Sequence, residues 1–379
     1  MTEVVVVGGG IVGSSAAYRF ALAGYSVHLV DRDHLGVATA AGAGIVCPGT
    51  ARSEPDPWYP LAFQAVAYYP ELLASLAGDG EEDTGYQIPG ELVLALDESE
   101  LPRLEDLRRL MIERRDAGVK NIGTVSLLSP PEVRSLFPPI HPEAHALHVA
   151  GSARVNGRAI RGSLQRALEK RGGKVIRDQA ALACESGAVR GVVVAGQKIA
   201  ADVVVVAAGA WTREALAPAG LNVPVYPQRG QILHLDMPGQ TTDSWPTVTG
   251  FGSHYVLAFP GSRVVAGATW EDDAGFDYRI TAAGAHQLIT QATELAPGLA
   301  NGTVAEIRVG FRPAICDGIP VLGRVPGVDG LYVASGLDSS GLLMGPFAGA
   351  LVADLAMARD APLPVEPYAP GRFAVSERS

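Results

Sequence analysis

"TEVVVVGGGIVGSSAAYRFALAGYSVHLVDRD", residues 2–33, sets a valine run against three glycines, an alanine-rich segment, a second apolar run and an aspartate. Residues 4–7 have the pattern of a parallel strand buried on both faces, and the glycines follow without a spacer. The spacing of small and bulky residues predicts a helix over 14–23. Gly24 is placed to end it in the left-handed conformation, and 25–30 reads as a second strand closed by Asp31. In this β-α-β unit Gly8 permits the tight turn, Gly10 lets the backbone approach a pyrophosphate, and Gly13 lets helix and strand pack closely. The amides at the helix start face negative charge. Asp31, 18 residues beyond Gly13, stands where a carboxylate accepts ribose hydroxyls. An acid there makes NADP the dinucleotide the pattern favours least.

The 379-residue chain is 47% apolar and carries 45 glycines. It is long enough to split into two lobes, and its composition leans towards α/β. A formal net charge of −10 and the lack of any long Lys/Arg cluster argue against a nucleic-acid partner. Cys47, Cys184 and Cys316 are far apart and form no CxxC pair. No metal site or disulfide framework is expected, and a reducing, cytoplasmic setting fits best. The apolar start carries Glu3 and is broken by glycines and Arg19, unlike a secretion signal. No transmembrane segment is expected, because the run 203–211 is short and the apolar stretch near the C-terminus contains Asp354.

Further along, 60–78 and 101–118 have helical spacing, with the strand-like "GELVLAL" at 90–96 between them. "SPPEVRSLFPPIHPEAH", 129–145, reads as a proline-rich connection between lobes. Residues 153–176 give a helix and a short strand, and 191–211 a hairpin followed by a second fully buried strand. From Pro224 the pattern changes to alternating strands, with a turn at Pro260-Gly261-Ser262 and a helix over 282–297, as in an antiparallel sheet. Residues 330–336 return to the buried-strand pattern. A long helix over 341–358 is expected to pack back on the first lobe.

Taken in order, "GGGIVGSS" with Asp31, "ATAAGAGIVCP", "VVVVAAGAW", "VGFRPAICDGIPVLG" and "GLYVASGLDSSGLLMGPFAGALVADL" resemble the FAD-dependent D-amino acid oxidase/dehydrogenase family. Glycine oxidase, sarcosine oxidase and D-amino acid dehydrogenases are among its members. The resemblance implies an FAD-binding, Rossmann-like lobe of glutathione-reductase type at 1–52, 142–222 and 305–379. It also implies an α+β substrate lobe, built on an antiparallel sheet, at 53–141 and 223–304. The single GxGxxG points to FAD rather than to FAD plus NAD(P)H.

By resemblance, Gly8, Gly10, Ile11, Val12, Gly13, Asp31 and Arg32 hold the ADP half. Thr39, Ala40, Ala41, Gly44 and Ile45 form the loop past the pyrophosphate and flavin edge. Ala207, Ala208, Gly209 and Trp211 match a second contact strand, with a core aromatic as the other reading of Trp211. Gly336, Asp338, Ser339, Ser340, Gly341, Leu342 and Leu343 match the loop that passes the flavin pyrimidine ring into a helix. Leu337 and Ser339 stand where relatives carry histidine and arginine. Arg312 matches the substrate-carboxylate arginine, whose planar fork bonds both oxygens; an ion pair with Asp317 or Glu306 is the alternative. Tyr255 matches a carboxylate-binding tyrosine or is a cross-strand packing residue, and His254 should point to the opposite sheet face. Asp338 either meets a substrate amine or caps the following helix, and the cap is the preferred reading. Cys316 is out of register with the cysteine that attaches FAD covalently in sarcosine oxidases, so noncovalent FAD is expected. Cys47 reads as a small buried thiol.

The implied chemistry is oxidative deamination of amino acids, with neutral D-amino acids leading and oxygen, a quinone or a dye as acceptor. A glycine/sarcosine-type oxidase, a flavoprotein subunit passing electrons to a partner chain, and a non-catalytic FAD-binding scaffold are the alternatives. A homo-oligomer is compatible with all of them.

Overall fold

The structure is a computed structural model that describes residues 2–373. The first sheet has six strands in the order Val321–Arg324, Leu331–Ser335, Val203–Val206, Glu3–Val7, Ser26–Val30 and Lys174–Ile176. All neighbours are parallel except the Val321–Arg324/Leu331–Ser335 pair. Glu3–Val7 lies near the centre, with Val4 opposite Val203 on one side and Val27 on the other. Its valines are buried on both faces, as an unbroken β-branched run requires when layers cover both sides.

On one face the helices Ile11–Leu22, Trp58–Gly78, Gly157–Lys170 and Gly341–Ala356 build the largest core. Glycines let two of these helices cross closely. A Cβ on Gly345 would stand 2.7 Å from Ile11, and one on Gly349 would stand 2.2 Å from the Val12 carbonyl oxygen. Gly341–Ala356 continues a stretch apolar enough to cross a membrane, but Leu342 to Ala353 are buried against the neighbouring helices. The other face is covered by a three-stranded sheet, Ala180–Glu185, Ala188–Val194 and Gln197–Ala200. The expected hairpin is its second and third strands.

The second sheet has eight strands: Thr303–Ile315, Val225–Asp236, Arg263–Gly267, Tyr255–Phe259, Thr247–Thr249, Glu91–Ala95, His145–Val149 and Val125–Leu128. Only the Thr247–Thr249/Glu91–Ala95 pairing is parallel. Alternation divides its side chains between two faces. Leu233, Val256 and Val264 pack beneath the helices Pro130–Leu136 and Ala282–Leu295, whereas Ile232, Leu257 and Val265 turn towards Ala43 and Ile45 of the first lobe.

Three sequence expectations change here. The stretch 129–145 is not a simple connection: Pro130–Leu136 is a helix whose Ser129 and Glu132 form a capping box, and prolines at its first positions suit a helix start. His145–Val149, expected with the nucleotide lobe after a boundary at 142, is a strand of the second sheet. The boundary at 305 likewise cuts Thr303–Ile315, which pairs with Val225–Asp236 along its length. Both segments thus belong to the second sheet.

Candidate active site

The Ile11–Leu22 helix starts directly above the end of Glu3–Val7, and its N-cap residue, Gly10, has no side chain to cap it. Thr39 Oγ1 accepts the Ile11 amide at 3.0 Å, leaving the remaining first-turn amides for an anionic ligand. Gly8 has φ +103°, and a Cβ there would lie 2.3 Å from the Ala207 carbonyl oxygen. A Cβ on Gly13 would lie 1.8 Å from the Gly8 carbonyl oxygen. These two glycines keep the loop and helix close enough to form a cradle.

Asp31, buried at the end of Ser26–Val30, accepts through Oδ2 from Arg161 Nη2 and, at 3.2 Å, from Arg177 Nη1. Its Oδ1 makes no hydrogen bond among the described residues and remains an acceptor. Arg161 and Gln165 also donate to the Gly9 carbonyl oxygen, so the Gly157–Lys170 helix braces the glycine loop. The spacing of Arg161 and Gln165 puts them on one helix face. Nothing in that spacing separates a brace from a solvated pair, and so the sequence reading missed them.

One continuous cavity of about 520 Å³ runs from Asp31 and Arg32, past Gly8 to Val12, to Tyr255, Trp270 and Arg312. Its volume is that of a ligand pocket. Thr39, Gly44, Ile45, Ala207, Ala208, Gly209, Trp211, Asp338, Ser339, Gly341 and Leu342 also line it. Six expected residues lie behind its wall. Gly13 packs on Gly8, Ala41 touches Gly310, and the Ala40 carbonyl accepts Arg158 Nε at 3.2 Å. Gly336 lies against Ile315, Ser340 Oγ accepts Trp58 Nε1 at 3.2 Å, and Leu343 belongs to the core. No cysteine lines the cavity: Cys47 is buried 2.7 Å from Ser152 Oγ, and Cys316 is exposed.

At the far end, Arg312 projects from Thr303–Ile315 opposite Gln228. Its Nη1 donates to Gln228 Oε1 at 3.1 Å and to the Thr269 carbonyl oxygen at 3.0 Å. The guanidinium carbon sits 4.2 Å from the centre of the Trp270 ring, and a Cβ on Gly230 would fall within 2.9 Å of it. Nε and Nη2 donate to no described residue. The alternative ion pairs are otherwise engaged, Glu306 with Arg308 and Asp317 with Arg372. Burial pulls the Arg312 pKa down, while Tyr255, Asp338, Asp272 and Glu271 push it back up.

Tyr255 lines the same end of the cavity and His254 does not. Burial pushes the Tyr255 phenol up to about 12 against the pull of Arg312, so it stays a neutral donor. Trp211 lines the cavity and also stacks between His34 and Phe276, at centroid separations of 4.1 and 4.8 Å. It is partly buried against Val309 and Phe311. Asp338 does not cap: neither the short turn Asp338–Ser340 nor the helix after it has a side-chain cap. Its Oδ1 is buried without a partner, because φ of 48° at this residue carries the chain away from the geometry a cap needs. Gln228, Thr269 and Trp270, which hold the guanidinium, lie on alternating strands or their ends and carry no motif that would have singled them out.

Comparison with known proteins agrees with this geometry. Residues 3–355 match the family described as FAD dependent oxidoreductase, DAO. The chain belongs to this DAO family. It is 44% identical over 371 residues to YurR, an uncharacterised oxidoreductase of Bacillus subtilis, covering 98% of this chain and 99% of YurR. The crystal structure of iminodiacetate oxidase from Chelativorans sp. BNC1 superposes with a TM-score of 0.92 at 43% identity, over 97% of this chain and 98% of that one. Glycine oxidase from Geobacillus kaustophilus is 29% identical over 370 residues, covering 97% and 96% of the two chains. Its crystal structure gives a TM-score of 0.85. As a DAO-family flavoprotein the chain is an FAD-dependent oxidoreductase acting on amino acids or amines.

Proposed function

We propose that this DAO-family enzyme oxidises small α-amino acids at the carbon between amine and carboxylate. Glycine and N-substituted glycines stand ahead of the neutral D-amino acids with which the sequence reading leads, because the relatives above are named for glycine and iminodiacetate. The observation that carries the proposal is Arg312, held by Nη1 with Nε and Nη2 uncommitted, in one cavity with the glycine cradle.

The residues present fit FAD. The helix start at Gly10 and the Gly8 cradle suit a pyrophosphate, the uncommitted Oδ1 of Asp31 suits a ribose, and the cavity continues from there to Arg312. No cysteine stands in that lining to attach FAD, and the reading takes the cofactor as noncovalent. FAD, when bound, supplies the acceptor for the hydride leaving the α carbon, and the resulting imine hydrolyses to a 2-oxo acid and an amine or ammonia. Arg312 binds both substrate carboxylate oxygens through Nε and Nη2, a fork geometry lysine lacks. Tyr255, protonated, donates its hydroxyl to the same carboxylate. Trp270 stacks its ring over the guanidinium. The protein thereby contributes orientation more than acid–base chemistry.

Purified holoenzyme mixed anaerobically with glycine, sarcosine, iminodiacetate, and D- and L-alanine tests the reading. At least one glycine-type amine should bleach the flavin. A flavin left oxidised by the whole panel overturns the proposal, and peroxide formation in air identifies oxygen as acceptor.

A further inference from the structure

The substrate end of the cavity holds more carboxylate than the carboxylate-binding role needs. Among the described residues lining the cavity, the arginines are Arg32, beside Asp31 at the nucleotide end, and Arg312. Asp338 lines the cavity at the Arg312 end, with Oδ1 buried and without a hydrogen-bond partner. It holds φ at 48°, a region that aspartate tolerates but that persists only when the surroundings impose it. It makes no cap to the helix it precedes. Oδ1 therefore takes no part in capping the helix that follows.

Its surroundings sharpen the point. Burial raises the Asp338 pKa, Arg312 pulls it down and Asp272 adds to the rise. Gln228, which accepts Arg312 Nη1 through Oε1, donates Nε2 to Asp272 Oδ1 at 2.7 Å. The Arg312 guanidinium thus shares this end of the cavity with Asp338 and is linked through Gln228 to Asp272. An ammonium arriving beside the Arg312-bound carboxylate would meet an acceptor without a partner, and burial makes such a pairing stronger than it would be in water. A second substrate carboxylate would meet Asp338 instead, with no further cation at that end to receive it.

Resting on the proposed amino-acid oxidation, we propose that Asp338 receives the substrate amine and makes the site select amino acids with one carboxylate over dicarboxylates and over acids that lack an amine. Asp338 is thus a specificity-determining residue of this chain. Its preference runs against the dicarboxylate for which a relative with 43% identity is named.

The test uses holoenzyme carrying Asp338→Asn, with Asp338→Gly as a second variant that accepts the left-handed backbone without strain. Two readouts should move in opposite directions. The KM for sarcosine rises at least tenfold, whereas acetate, followed by its perturbation of the flavin spectrum, binds at least threefold more tightly because a like charge has gone. The ratio of kcat/KM for iminodiacetate to that for sarcosine rises at least tenfold. A merely structural role would weaken sarcosine and acetate together. Movement of both in the same direction, or no change in either variant, overturns the proposal. Arg312→Ala, tested alongside, separates the two ideas: if it loses acetate binding while the Asp338 variants behave as wild type, only the role of Asp338 fails. If it keeps acetate binding, the carboxylate site itself has been misassigned.

Discussion

Asp31 keeps Oδ2 on Arg161 and Arg177 while Oδ1 has no hydrogen bond. The first contacts fix the carboxylate in place, and the uncommitted oxygen is what a ribose hydroxyl would use. A hydrogen bond to a charged group contributes about 1.5–3 kcal/mol, which corresponds to about a 10–100-fold change in affinity. Asp31→Ala should therefore raise the FAD Kd by at least about tenfold, measured by flavin fluorescence on reconstituting stripped protein. An unchanged Kd would leave Asp31 as a strand-end residue tied only to Arg161 and Arg177. This residue was legible because its distance from Gly13 is set by one helix and one strand. Arg161 was not, since it reaches the same carboxylate from 130 positions away, and only the tertiary fold brings it there.

At the scale of elements, the crossing of Ile11–Leu22 with Gly341–Ala356 decides where the first-turn amides stand. Gly349 lies against the Val12 carbonyl oxygen and the Ala16 nitrogen, where a Cβ would be 2.2 and 2.9 Å away. Both neighbours are backbone, so a side chain forces the helices apart. Overpacking of this kind costs about 1–3 kcal/mol. Gly349→Ala is expected to lower Tm and to increase flavin loss during gel filtration, since the displaced helix carries the cradle. A variant with wild-type Tm and full flavin content would show that the crossing has slack. Helix and strand periodicity made most of these elements readable, including the terminal helix. Pro130–Leu136 was misread because prolines usually mark connections, whereas here they occupy the helix start beneath a Ser129–Glu132 capping box.

Over the whole molecule, the alternation of nucleotide and substrate segments followed from the change of pattern along the chain. The divisions near 142 and 305 did not, because strand pairing rather than composition assigns His145–Val149 and Thr303–Ile315 to the second sheet. That assignment matters for function. Thr303–Ile315 carries Arg312 on the sheet whose face, with Ile232 and Tyr255, looks at the first lobe. The two lobes thus bound a single cavity, with Asp31 at one end and Arg312 at the other. The direct measurement is anaerobic flavin reduction by a glycine-type amine in wild-type and Arg312→Ala holoenzyme, at equal flavin content. Losing a desolvated, charge-assisted pair costs about 2–5 kcal/mol. The half-saturating amine concentration should therefore rise by at least about thirtyfold while FAD stays bound; saturation at the wild-type concentration would contradict the account.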